Sequence, residues 1–139
     1  MEILYYTRKP AENAAPNPAV RWLSLEDYDV FCNHLALCGQ RAFDESDWKE
    51  IYEEGTLYCG LFVNGEMVAR ACAEKYSLNV WEVADVRTAA PHRARGYAFA
   101  VSAFVLEYIL AHGKTATIRT EEDNVKMQRV IEKLGFSRL

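Results

Sequence analysis

Between a run that reads as a strand, Val80 to Thr88, and one that reads as a buried helix, Phe99 to His112, lies the stretch Arg93-Ala94-Arg95-Gly96-Tyr97-Ala98. A basic, glycine-containing turn ahead of a helix is suited to hold an anion. The first N–H groups of a helix have no internal partner, and the helix dipole favours negative charge there. Gly96 lets the backbone take a positive φ or approach a ligand without a Cβ clash. Arg93 and Arg95 add positive charge, and no acidic residue lies between Asp85 and Glu107. The turn therefore reads as a phosphate site for a phosphorylated cofactor. It is not a P-loop, because no Gly-Lys-Ser/Thr follows. It is not a dinucleotide fingerprint either, because the three-glycine pattern and an early βαβ unit are missing.

The rest of the chain limits what this turn can serve. With 139 residues, half of them apolar and 12% aromatic, one domain with an ample core is expected. The longest apolar run, Tyr97 to Ala111, is interrupted by Ser102 and Glu107 and falls short of the roughly 20 residues that span a bilayer. The start, Met-Glu-Ile-Leu-Tyr-Tyr, has no basic region of the secretory kind, so a cytoplasmic protein with no membrane partner is expected. Cys32, Cys38, Cys59 and Cys72 sit among apolar neighbours without Cys-x-x-Cys spacing, which reads as reduced core thiols. His34, His92 and His112 are scattered, so no metal site is expected. Net charge is −4, which argues against a nucleic-acid partner. Residues 1–85 hold 7 Lys and Arg against 15 Asp and Glu, and residues 86–139 hold 9 against 5. That division suits an anionic cofactor on one side and an amine on the other, or is ordinary surface charge.

The elements follow from periodicity and punctuation. Glu2 to Arg8 reads as a strand, and residues 10–19, with three of the four prolines, as an arm. The chain is thus divided into 1–19, strand and arm, and 20–139, the main domain. Val20 to Leu23 is a short strand, and Ser24-Leu-Glu-Asp27 a capping box for a helix with Tyr28, Phe31, Cys32 and Leu35 inward. A second helix runs from about Asp47 to Glu54, with Trp48, Ile51 and Tyr52 inward and Gly55 as its stop. Thr56 to Val63 and Glu66 to Lys75 are strands joined by Asn64-Gly65, the strongest short hairpin signal. Val80 to Thr88 follows as a third strand of a meander, and then the turn and the helix Tyr97 to His112. Thr115 to Thr120 is β-branched and strand-like. Asp123 or Asn124 caps a last helix with Val125, Val130, Ile131 and Leu134 inward. This is an α+β chain around a mostly antiparallel sheet.

On these elements the chain resembles the GNAT superfamily of CoA-dependent N-acyltransferases over residues 20–136. Arg93-Ala-Arg-Gly96-Tyr-Ala98 fits that family's Arg/Gln-x-x-Gly-x-Gly/Ala cofactor motif. Thr88 stands where many relatives have Thr or Val ahead of it. Asn124-Val-Lys-Met-Gln-Arg-Val-Ile-Glu-Lys-Leu-Gly135-Phe136 is similar to the family's late helix. The resemblance implies that backbone N–H groups from Arg93, Ala94, Arg95, Gly96, Tyr97 and Ala98 hold the CoA pyrophosphate. It implies that the main chain of Val86 and Thr88 pairs with the pantetheine arm, and that Asn124 contacts it. Acetyl-CoA is then a co-substrate and a small or peptidic amine the acceptor. Glu82 is where several relatives place a base. Strict alternation would put Asp85 on the opposite face of the same strand.

Two departures from the family pattern stand out. Ile131 occupies the place where many relatives carry a tyrosine that protonates the leaving thiolate. The family also continues past Gly-Phe into two more strands, whereas here Ser137, Arg138 and Leu139 remain. The sheet expected is therefore GNAT-like, with an extra N-terminal strand and without those two, and strand 115–120 would be an open edge. Strand 2–8 is expected to cover that edge in its own chain or in a partner copy, making a homodimer through the N-terminal strand or the open edge. The other readings are a non-catalytic acyl-CoA-binding sensor or scaffold, and a nucleic-acid domain using Arg87, Arg93 and Arg95. Trp48, Tyr52, Glu53 and Glu54 line an acceptor pocket or form one amphipathic helix with a solvated face.

Overall fold

A computed structural model describes residues 1–12 and 14–139; Asn13, within the arm, lies outside the described residues. Seven strands form one sheet: β1 (Glu2–Thr7), β2 (Val20–Trp22), β3 (Leu57–Val63), β4 (Glu66–Glu74), β5 (Val80–Thr88), β6 (Thr115–Glu121) and β7 (Ser137–Arg138). Their order is β2-β3-β4-β5-β6-β1-β7. Only β5 and β6 run parallel, because a helix crosses between them. The helices are α1 (Tyr28–Leu37), α2 (Glu45–Glu53), α3 (Tyr97–Ala111) and α4 (Val125–Lys133). Among the described residues, no helix is long and apolar enough to cross a membrane.

Strand alternation sorts the side chains into two layers. On one face Ala71, Ala73, Val83, Ala116, Ile118, Ile3 and Tyr5 meet Val101, Val105, Leu106 and Ile109 of α3 and Ile131 of α4. On the other, Phe31, Leu35 and Trp48 of α1 and α2 pack with Leu23, Met67 and Tyr58. This second layer covers only the β2–β4 side. Gly60 of β3 lies directly against the Met67 side chain of β4. A Cβ there would lie 2.1 Å from Met67 Sδ, so only glycine admits that side chain.

Local signals translate directly. Asn64 and Gly65 take φ of 51° and 81°, the left-handed pair of a two-residue hairpin turn. The Asp27 carboxylate accepts from Ser24 N (2.7 Å) at the entrance to α1. The β1 strand covers the β6 edge in the same chain, with Glu2 opposite Glu121 and Thr7 opposite Ala116. Beyond Phe136 the chain adds the short β7 against Tyr5 and Tyr6. Two expectations need correction. Val125 is exposed, because the turn of α4 that follows Asn124 extends past the sheet, leaving Val130, Ile131 and Leu134 to face inward. The α2 helix begins at Glu45, and Tyr52 lies on its exposed side with Glu53 and Glu54 while Trp48 enters the core. The helix is amphipathic, and Glu45, Ser46, Trp48 and Lys49 on it line a cavity against Leu25, Glu26, Tyr28 and Asp29.

Candidate functional site

The sheet splits where β5 leaves β6. Their pairing runs from Val80↔Thr115 to Glu82↔Thr117 and stops. From Val83 to Thr88 the β5 edge facing β6 has no ladder partner, so its N–H and C=O groups line a cleft. The split coincides with a bulge. Arg70 lies opposite Arg87 and Cys72 opposite Ala84, so β5 spends two residues, Asp85 and Val86, where β4 spends one. Asp85 takes φ 50°, left-handed for a residue with a Cβ. The extra residue reverses the alternation. Glu82 and Asp85 therefore share the α1/α2 face of the sheet, and the expectation of opposite faces is wrong.

The cleft leads to the turn before α3. Ala89, Ala90, Pro91 and His92 form a short 3-10 turn that brings the chain round. Ala94 (φ 63°) and Gly96 (φ 80°) are both left-handed, and residues 93–96 are exposed. Alternating handedness of this kind curls successive N–H groups toward one point. The first main-chain bond of α3 runs from Ala100 N to Gly96 O (3.1 Å), so the N–H groups of Tyr97, Ala98 and Phe99 have no acceptor within the helix. A Cβ on Gly96 would meet nothing within 4 Å. The space above the turn is open. Arg93 Nε donates to Thr88 O (3.1 Å), fixing the turn to the end of β5. Buried Thr88 Oγ1 and His92 Nδ1 have no hydrogen-bond partner among the described residues. A turn of inward-curled N–H groups below open space is suited to an anion. Across the cleft, Asn124 Oδ1 caps α4 by accepting from Met127 N (3.1 Å), which leaves the amide nitrogen of its exposed side chain for other contacts.

Glu82 is only 6% exposed. Arg119 holds it from both sides: Nε donates to Oε2 (3.0 Å) and Nη2 to Oε1 (3.0 Å). The hydroxyls of Tyr76 and Thr117 also reach Oε1, at 2.9 and 3.0 Å. Hydrogen bonding to Glu82 pushes the Arg119 pKa up. Burial, then the negative charges of Glu82 and Asp85, raises the pKa of neighbouring Glu74. Ile131, at 0% exposure, is sealed in the core and offers no proton.

A second polar group went unread in the sequence. Arg70, 1% exposed, donates from Nε and Nη2 to the two oxygens of Asp85 (3.1 and 3.2 Å), from Nη2 to Gln40 Oε1 (2.8 Å) and from Nη1 to His34 Nδ1 (3.0 Å). Tyr58 OH donates to Asp85 Oδ2 (2.7 Å). An arginine cannot accept, so His34 Nδ1 is the acceptor and its proton lies on Nε2, facing Cys38 Sγ at 3.6 Å. Burial first, and the Arg70 charge second, depress the His34 pKa to about 4. The signal was available: one charge inside the apolar run Met67-Val-Ala-Arg70-Ala-Cys-Ala must have a buried partner.

Residues 18–136 match the family described as Acetyltransferase (GNAT) family. Solved structures share the fold. A GNAT-family protein of Novosphingobium aromaticivorans is 19% identical, with TM-score 0.82 over 99% of this chain and 59% of its own. An acetyltransferase of Colwellia psychrerythraea is 20% identical, with TM-score 0.78 over 99% of this chain and 52% of its own. AAC(6')-Iy, solved in complex with the bisubstrate analog CoA-S-monomethyl-acetylneamine, is 19% identical, with TM-score 0.70 over 85% of this chain and 89% of its own. The chain thus spans little more than half the length of the first two. No curated protein matches it.

Proposed function

The chain belongs to the GNAT acetyltransferase family, and from that premise we propose that it moves an acetyl group from acetyl-CoA to an amine of a small molecule or peptide. One observation carries the reading. The parting of β5 from β6 opens directly onto a turn whose N–H groups, with Ala94 and Gly96 left-handed, converge on free space.

When bound, acetyl-CoA supplies the activated acetyl thioester. The main chain from Arg93 to Ala98 holds the pyrophosphate, with Arg95 adding charge. The free edge of Val86 and Thr88 pairs with the pantetheine arm as an added strand does, and Asn124 contacts it from the far wall. These groups fix the thioester so that an amine approaching from the α1/α2 face meets the carbonyl carbon. A new C–N bond forms, the C–S bond breaks, sulfur leaves with the electron pair, and the second proton the nitrogen sheds on becoming an amide passes through solvent to that thiolate. An amine at neutral pH must first give up a proton. Glu82, at the foot of the cleft, is the carboxylate assigned to receive it.

Calorimetric titration with acetyl-CoA and with CoA tests the reading, using wild type and Gly96→Asp. Wild type is expected to bind in the micromolar range. The variant, which places a carboxylate in the cradle, is expected to lose that binding. A wild type that binds neither ligand would remove the cofactor assignment. The buried Ile131 favours a second reading, an acyl-CoA-binding module without turnover. Acetyl-CoA consumption with a panel of amines separates the two.

A further inference from the structure

Arg70 is the guanidinium most deeply enclosed in the molecule, and a permanent charge at 1% exposure needs a purpose beyond packing. Its fork ties three separate places together, His34 on α1, Gln40 in the connection from α1 to α2, and Asp85 on β5, and Tyr58 of β3 closes on the same carboxylate. Asp85 is the extra residue of the bulge. Were β4 and β5 to relax into regular pairing, alternation would turn Asp85 to the α3 face, away from Arg70. The fork contact and the left-handed φ of Asp85 therefore stand or fall together. The bulge also aims the edge that follows it, Val86 to Thr88, along the cleft. Arg87 Nε, 4.0 Å from Asp85 Oδ1, adds a looser outer charge to the same carboxylate.

We propose that Arg70 is a positioning residue: through Asp85 it holds the β5 bulge and so presents the Val86–Thr88 edge to the pantetheine arm, and through Gln40 it ties the α1–α2 connection to that same edge. One guanidinium thereby sets the cofactor wall and the wall on the acceptor side. This rests on the acetyl-CoA reading above and names the residue on which its geometry depends.

Two measurements on Arg70→Met and Tyr58→Phe test it. The first is CoA affinity by calorimetry. The second is amide hydrogen exchange, which needs no ligand. Arg70→Met is expected to weaken CoA at least tenfold and to speed exchange of residues 84–88 at least tenfold, with the amides of α3 unchanged. Tyr58→Phe removes only the hydroxyl on Asp85 and keeps the ring against Phe31 (centroids 4.8 Å apart). It is expected to show both effects at a severalfold level, and it decides the matter if Arg70→Met does not fold. Exchange that rises uniformly, or unchanged CoA affinity, overturns the proposal. A wild type that fails to bind CoA defeats the cofactor reading and with it the pantetheine role. The exchange arm then still reports whether Arg70 holds the bulge.

Discussion

Two carboxylates on one strand have different employers. Glu82 is clasped by Arg119 and two hydroxyls, whereas Asp85 is held from behind by Arg70 and Tyr58. If Glu82 takes the amine proton, Glu82→Gln should lower turnover by about 10²-fold or more while CoA affinity stays within a factor of two. Full turnover with a reduced melting temperature would leave Glu82 as the anchor for Arg119 alone. His34 gives a second test. It is neutral in the fold, with a pKa near 4 against 6.5 when free. Between those values the unfolded chain binds the extra proton, so stability rises with pH across about pH 4 to 6.5 and its contribution is lost below that window. The expected span is on the order of 1–3 kcal/mol, and it should flatten in His34→Gln when unfolding is followed by urea at several pH values. A slope that survives in the variant would place the pH dependence elsewhere. The anion turn was legible because its residue types and its place before a helix state their chemistry locally. Arg70, His34 and Arg119 were not, because their meaning lies in partners 15 to 37 positions away.

Element types and their order were legible from β1 to α4, since Asn64-Gly65, the prolines of the arm and the apolar helix are short-range signals, whereas the two-residue β7 carries no such signal. The bulge was not. A single inserted residue leaves no mark in an alternating pattern until the register is seen, and it alone moved Asp85 to the face of Glu82. The strand covering β6 was readable as a need: an unpaired edge in a soluble sheet has to be managed. That need yields a further prediction. Removing residues 1–10 strips β6 of its partner and takes Ile3 and Tyr5 out of the core. Each buried side chain is worth about 1.5–3 kcal/mol, a large part of the roughly 5–15 kcal/mol that holds a domain together. Aggregation, or loss of the cooperative melt, is expected. An unchanged melting temperature would show that β1 is dispensable.

Across the whole molecule the two layers divide the work. The α3/α4 layer is apolar and continuous, and it holds the turn steady by the burial of Val101, Val105 and Ile109. The opposite layer stops at β4, which leaves the β5–β6 side of that face to polar groups: Glu74, Tyr76, Glu82, Thr117 and Arg119. An acceptor that reaches the cleft from this side meets both acids and a guanidinium. The front-to-back charge difference read from composition is thus partly neutralised in space where Arg119 closes on Glu82. The place of β1 has a consequence for synthesis. Glu2 pairs with Glu121 and Thr7 with Ala116, so β1 is made long before the strand it pairs with. While the ribosome builds everything between, Ile3, Tyr5 and a bare strand edge emerge with no partner. The sheet closes only after β6 is out of the exit tunnel. Such long-range pairing places refolding toward the slow end, roughly milliseconds to seconds, and makes the half-made chain a natural client for a chaperone that shields unpaired strands.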